Sequence, residues 1–121
     1  MSKYILVVED QEDNRQILRD LLTHSGYEIG EAGDGQEALR AVAARRPDLI
    51  LMDIQLPVMD GYEATRRIKA TPAGKDIPII VVTSYALSGD EEKALAAGGD
   101  DYVTKPYSPK ALLAKIRDYL D

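Results

Sequence analysis

Cysteine is absent from this chain of 121 residues, which excludes a disulfide framework and a thiolate metal site. Histidine occurs once, as His24, so neither a histidine-based catalytic triad nor a histidine zinc cluster is available. His24 lies late in a helical segment, beside Ser25-Gly26, and reads as a solvent-facing residue of its last turn. No apolar run approaches the ~20 residues of a membrane span. The N-terminus has one lysine, a short apolar stretch and no small-residue cleavage site, so no secretory signal is read there. The expectation is a cytoplasmic protein with no membrane insertion. Positive charge is also in deficit: 15 Lys and Arg against 21 Asp and Glu leave a net charge of -6. That argues against nucleic-acid binding, which draws on clustered cations. Arg45-Arg46 and Arg66-Arg67 are pairs rather than patches and read as solvated helix faces. Gly33-Asp34-Gly35 is a turn without the spacing of a dinucleotide fingerprint. Linkers, repeats and low-complexity tracts are missing, and the chain is expected to be one domain over residues 1–121.

Hydrophobic residues make up 45% of the chain, enough for a packed core. Their spacing alternates between strand and helix from end to end. Tyr4 to Val8 is a continuous apolar run, as expected for a strand covered on both faces. Ile17, Leu18, Leu21 and Leu22 then recur at helical spacing, and Gly26 stops the helix. Tyr27 to Glu31 is a weaker, partly polar strand near an edge. Ala38, Leu39 and Val42 mark a second helix, closed off by Pro47. Leu49 to Asp53 is the third strand, Gly61 to Ala70 the third helix and Ile79 to Val82 the fourth strand. Asp90 to Ala97 is a short helix, and Tyr102 to Thr104 a short fifth strand. Ser108 as N-cap and Pro109 at the first helical position begin the last helix. Five strand–helix units in sequence imply an α/β fold, a parallel sheet with helices on both faces.

The chemistry gathers where the strands end. The first apolar run ends at Glu9-Asp10, the third at Asp53 and the fourth at Thr83; the fifth leads to Lys105-Pro106. In an open parallel sheet these ends converge on one crevice. Glu9-Asp10 alone could begin a turn or cap the first helix. With Asp53 on an adjacent strand, three carboxylates crowd together, and like charges so placed call for a cation. A hard divalent ion with oxygen ligands, Mg²⁺ above all, is the natural occupant. Asp53 is fixed by a hydrophobic strand and has no capping partner nearby in sequence. A carboxylate in that position can attack phosphorus to give an aspartyl-phosphate. The transfer is carried by positioning and by neutralising the phosphoryl oxygens, for which Lys105 supplies a point charge and Thr83 a hydroxyl. The Lys105-Pro106 bond is a candidate cis peptide at a tight strand-to-helix turn.

Taken together, Glu9-Asp10, Asp53 in MDIQLPVMDG, Thr83 in VVTSYA and Lys105-Pro106 in DDYVTKPY resemble the receiver domain of bacterial two-component response regulators. The similarity runs from Tyr4 to Leu120. MDIQLP with VVTSYALSGDEEKA is similar to the stand-alone, DivK-like regulators of cell-cycle and polarity pathways. The resemblance implies a flavodoxin-like, doubly wound sheet of order 2-1-3-4-5 and a single receiver domain without an output domain. It implies Mg²⁺ held by Asp10, Asp53 and the Gln55 backbone carbonyl, with Glu9 helping directly or through water. Asp53 would take a phosphoryl group from a phosphohistidine on a sensor histidine kinase or histidine phosphotransfer protein. Thr83 and Tyr102 would be the switch pair that remodels the face seen by a downstream protein partner. Asn14, Gln16 and Ile17, with the Lys105 to Tyr107 loop, are expected to dock the phosphodonor. Gln55 and Tyr85 would flank the path of the hydrolytic water, with Tyr85 shielding the acyl phosphate. Gly99 is expected to loosen the loop before the fifth strand. On this reading the chain is a signalling module rather than an enzyme, beyond its own phosphorylation and dephosphorylation.

Other chemistries fit less well. A small Mg²⁺-dependent aspartyl-phosphate phosphohydrolase usually wants a second acid two residues after the nucleophile. Gln55 stands there and cannot transfer a proton. A flavin-binding electron carrier would need a phosphate-cradling loop after the first strand, where Glu9-Asp10 would repel a phosphate.

Overall fold

In each strand, successive side chains point to opposite faces of the sheet, and here both faces are covered. The computed structural model describes residues 2–83 and 90–120. Strands β1 (Tyr4–Val8), β2 (Glu28–Ala32), β3 (Leu49–Asp53), β4 (Ile79–Thr83) and β5 (Asp101–Thr104) alternate with helices α1 (Glu12–His24), α2 (Gly35–Ala44), α3 (Gly61–Lys69), α4 (Asp90–Ala96) and α5 (Pro109–Leu120). The strands form one sheet of order β2-β1-β3-β4-β5, and every neighbouring pair is parallel. This is the expected doubly wound, flavodoxin-like order, with β2 at an edge.

Ile5, Val7, Leu49, Leu51, Ile80 and Val82 face one layer, where Leu18 and Leu22 of α1 and Leu112 and Ile116 of α5 pack on them. Leu6, Val8, Ile50, Met52, Ile79 and Val81 face the other, against Ala38 and Val42 of α2, Ala64 and Ile68 of α3 and Ala94 of α4. The strands therefore read as unbroken apolar runs because neither face is wet.

Caps fix where the helices begin and end. The Asp34 and Asp60 carboxylates accept the Glu37 and Glu63 amide N–H groups at 2.8 and 2.9 Å, satisfying free donors in the first turns of α2 and α3. Ser108 caps α5 by accepting Ala111 N–H on its hydroxyl at 3.2 Å. Past α1, Gly26 takes φ +96°, a left-handed turn for which glycine has no steric cost.

Element bounds move by a residue in places: β4 runs on to Thr83, β5 starts at Asp101, and α3 and α4 stop at Lys69 and Ala96. β2 runs from Glu28 to Ala32 rather than Tyr27 to Glu31, because the Tyr27 N–H is used by the Leu22 carbonyl at the end of α1 and Ala32 pairs with Val8. Gly99, expected to loosen its loop, sits at a close approach. A Cβ there would lie 2.9 Å from both the Ala94 carbonyl oxygen and Val81 Cγ2, so glycine lets the end of α4 close down on β4.

Candidate functional site

The strand register places the chemistry. Val8 pairs with Met52, so Glu9 and Asp53 follow side by side at the ends of β1 and β3. Asp53 pairs with Val82, which sets Thr83 one residue beyond it on β4. Thr83 pairs with Thr104, and Lys105 comes next. Its N–H donates to the Thr83 carbonyl at 2.7 Å, and the Lys105-Pro106 peptide is cis. Glu9, Asp53 and Thr83 are buried, at 3, 4 and 3% exposure, whereas Asp10 is exposed.

One carboxylate oxygen from each of Glu9, Asp10 and Asp53 lies within 4.8 Å of the other two. Lys105 reaches across the sheet, its Nζ 3.4 Å from Glu9 Oε2 and 3.3 Å from Asp53 Oδ2. The N-cap of α1 is Gln11, with no side-chain capping bond, so the acid pair is not spent on starting that helix. Gln55 is exposed and its N–H lies 3.4 Å from Asp53 Oδ1. A cleft of about 350 Å³ is bounded by Glu9, Asp10, Gln11, Asn14, Asp53, Gln55 and Lys105. Beside it, between α1 and the start of α5, a mostly apolar cavity of about 430 Å³ shares Glu9, Asn14, Asp53 and Lys105 as a wall.

Burial pushes the Asp53 carboxyl up to about 7; the hydrogen bond and charge of Glu9 add to the rise, and Lys105 opposes it. Burial pushes Glu9 up as well, but hydrogen bonds with Asp53 and Asn14 and the nearby Lys105 charge outweigh it and leave Glu9 below its ordinary value. The two acids therefore titrate together, with Asp53 shifted up and Glu9 shifted down. Tyr107 lines the same apolar cavity as Glu9 and Asp53, and its phenol is pushed up by burial and then by the charges of those acids. An all-oxygen donor set with excess negative charge and one ammonium between its buried members fits a hard divalent cation.

This geometry agrees with the comparisons. The sequence profile of the response regulator receiver domain matches residues 5–117. The chain belongs to the response-regulator receiver family. It is 43% identical to the polar-differentiation response regulator DivK of Brucella anthropi, over 99% of this chain and 98% of that protein. The receiver domain of the sensor histidine kinase PA1611 from Pseudomonas aeruginosa superposes with a TM-score of 0.92 at 40% identity, covering 99% of this chain and 98% of that one. That structure has a magnesium ion coordinated in its active-site cleft. The chemotaxis protein CheY4 of Vibrio cholerae gives a TM-score of 0.93 at 29% identity, over 98% of this chain and 99% of that one. Receiver domains are signalling modules of two-component systems, and phosphorylation switching is general to the family. Among the described residues, no helix is long and apolar enough to cross a membrane.

The remaining expected residues fall in different places. Tyr102 on β5 is half-buried against the layer of α2, α3 and α4. Gln16 and Ile17 are exposed on α1, Ile17 at 62%, but Asn14 is not a free surface residue. Its Nδ2 donates to Glu9 Oε1 at 2.9 Å. Tyr85 lies outside the described residues. The sequence reading missed Arg15, whose Nη1 donates to the Glu9 carbonyl at 2.7 Å. Its signal was the spacing: one turn into a helix that starts right after a strand-end acid, side chains fold back over that acid.

Proposed function

We propose that this receiver domain is a phosphorylation switch whose phosphoacceptor is Asp53. The observation that carries the reading is the placement of Lys105 Nζ between two buried carboxylates, with a third carboxylate at the cleft mouth. Asp10, Asp53 and the Gln55 backbone carbonyl would hold Mg²⁺, with Glu9 helping directly or through water. When bound, the ion supplies positive charge against the phosphoryl oxygens and against the crowded acids.

An Asp53 carboxylate oxygen attacks the phosphorus of a phosphohistidine. The new O–P bond forms as the N–P bond breaks, and the electron pair leaves with the histidine nitrogen. Lys105 pairs with one oxygen of the transferred group as a point charge, and the Thr83 hydroxyl donates to another. The donor is a sensor histidine kinase or histidine phosphotransfer protein. Thr83 then draws toward the phosphoryl group and Tyr102 turns inward behind it, changing the face around α4, β5 and α5 for a downstream protein partner. The setting is cytoplasmic, and the net charge of -6 suits protein partners rather than nucleic acid. A phosphohydrolase acting on outside substrates is disfavoured by Gln55 at the position where a proton-transferring acid would be needed.

The test is intact mass after incubation with Mg²⁺ and a small acyl-phosphate donor, beside Asp53→Asn. A Mg²⁺-dependent gain of one phosphoryl group, absent from the mutant, is expected. If neither a small donor nor a phosphohistidine protein labels the wild-type chain, the reading is wrong.

A further inference from the structure

We propose that Asn14 is a positioning residue for the ion site, acting through Glu9. The inference rests on the Mg²⁺ reading above and extends it to a residue outside the acid, threonine and lysine set. Glu9 is 3% exposed, and each of its polar atoms is accounted for. Its N–H donates to the Ala32 carbonyl at 3.0 Å, and its carbonyl accepts from Arg15 Nη1 at 2.7 Å. Its Oε1 accepts from Asn14 Nδ2 at 2.9 Å, and its Oε2 from Lys105 Nζ at 3.4 Å.

These partners differ in kind. The two main-chain bonds fix where the residue sits and leave the carboxylate free to turn. Lys105 holds Oε2 loosely and brings a positive charge, which competes with any cation. Asn14 orients the carboxylate without cancelling its charge, since an amide donates a hydrogen bond but stays neutral. Its second neighbour is also an acceptor, Gln11 Oε1 at 3.3 Å, so the NH₂ end of the amide must face both.

Asn14 is itself well anchored. It is half-buried in the first turn of α1, and the buried Leu18 one turn later ties that helix to the sheet. Arg15 braces the same turn through Glu12 at 2.6 Å and Glu31 at 3.4 Å. Asn14 thus keeps a buried carboxylate aimed at the cleft, as outer-shell partners of metal ligands do.

The test is isothermal titration of Mg²⁺ into the full chain for wild type, Asn14→Ala and Asn14→Gln, with melting temperatures in EDTA alongside. Alanine preserves helix propensity, so α1 is kept. Mg²⁺ binding to Asn14→Ala should weaken about tenfold, and Asn14→Gln, which restores an amide donor, should regain most of it. An Asn14→Ala affinity within about twofold of wild type overturns the proposal whatever the melting temperature does, because Asn14 would then only support the fold. Equal weakness of the two variants overturns it too. If the wild-type chain takes up no Mg²⁺, the ion reading itself has failed and this inference falls with it.

Discussion

Lys105 Nζ lies 3.3 Å from the Asp53 carboxylate, although 52 residues separate the two in sequence. The same ammonium is 3.4 Å from Glu9, so one cation serves two buried acids. Removing it as Lys105→Met leaves them uncompensated. Breaking a fully buried pair costs about 3–5 kcal/mol, but Lys105 is 26% exposed and water takes up part of the loss. A destabilisation of about 1–2 kcal/mol in EDTA is expected, measured by urea unfolding, with Mg²⁺ restoring part of it. Unchanged stability in EDTA would mean that Lys105 is not the counterion of the ion-free site.

The raised Asp53 carboxyl gives a pH dependence with a definite sign. Burial, followed by Glu9, lifts it to about 7 in the ion-free fold, against about 4 in an unfolded chain. Between those values the folded state holds the extra proton. The associated stability is fully present below pH ~4 and is lost as pH rises through ~7. Glu9, held below its ordinary value by partners that outweigh its burial, acts in the opposite sense at lower pH. Asn at position 53 imitates the neutral acid at every pH. In EDTA, Asp53→Asn should therefore melt above wild type at pH 8, with the gap closing toward pH 5. A gap of constant size across that range would rule this out.

The strands were legible because both faces of the sheet are dry, which makes β1, β3 and β4 unbroken apolar runs ending at polar residues. The convergence of Glu9, Asp53, Thr83 and Lys105 followed from parallel topology. What stayed hidden depends on close approach in space. Asn14 looked like a surface residue of an amphipathic helix, since nothing in its spacing says that the first turn of α1 leans over Glu9. Gly99 looked like a loose point, and only the distance from α4 to Val81 makes it a tight one. The weak, partly polar pattern of β2 put its bounds one residue early, which the pairing of Val8 with Ala32 corrects.

Thr65 of α3 has a fully buried hydroxyl with no hydrogen-bond partner among the described residues. Such a group forfeits its hydration and gains nothing in return. Thr65→Val keeps the shape and β-branching while removing the polar atom. It should raise stability by about 0.5–1 kcal/mol, read as a higher urea midpoint at unchanged slope. A loss of stability would show that the hydroxyl has a partner in solution, such as a buried water.

Val58 combines two costs in the loop that follows Asp53. It has φ +69°, a left-handed conformation in which a β-branched residue is strained, and it is 77% exposed, so packing returns little. Its neighbours hold the loop in place: Met59 is buried against the α2–α3 layer, and the Gly61 N–H donates to the Ile54 carbonyl at 2.9 Å. Gly61 itself has no room for a side chain, because a Cβ there would collide with the Asp53 carbonyl and lie 2.8 Å from Ile54 Cα. These contacts restrain the loop around the left-handed residue at position 58. Val58→Gly relieves about 1–2 kcal/mol of strain but adds flexibility to the unfolded chain that takes back about 0.5–1 kcal/mol. The net expectation is a gain of up to about 1 kcal/mol, a rise of a few degrees in melting temperature. Because the Val58 side chain is absent from the cleft lining, labelling of Asp53 by a small acyl-phosphate donor should keep its wild-type rate. A melting temperature at or below that of wild type would show that the left-handed turn is not strained, and a slowed labelling rate would show that the loop sets the geometry of Asp53.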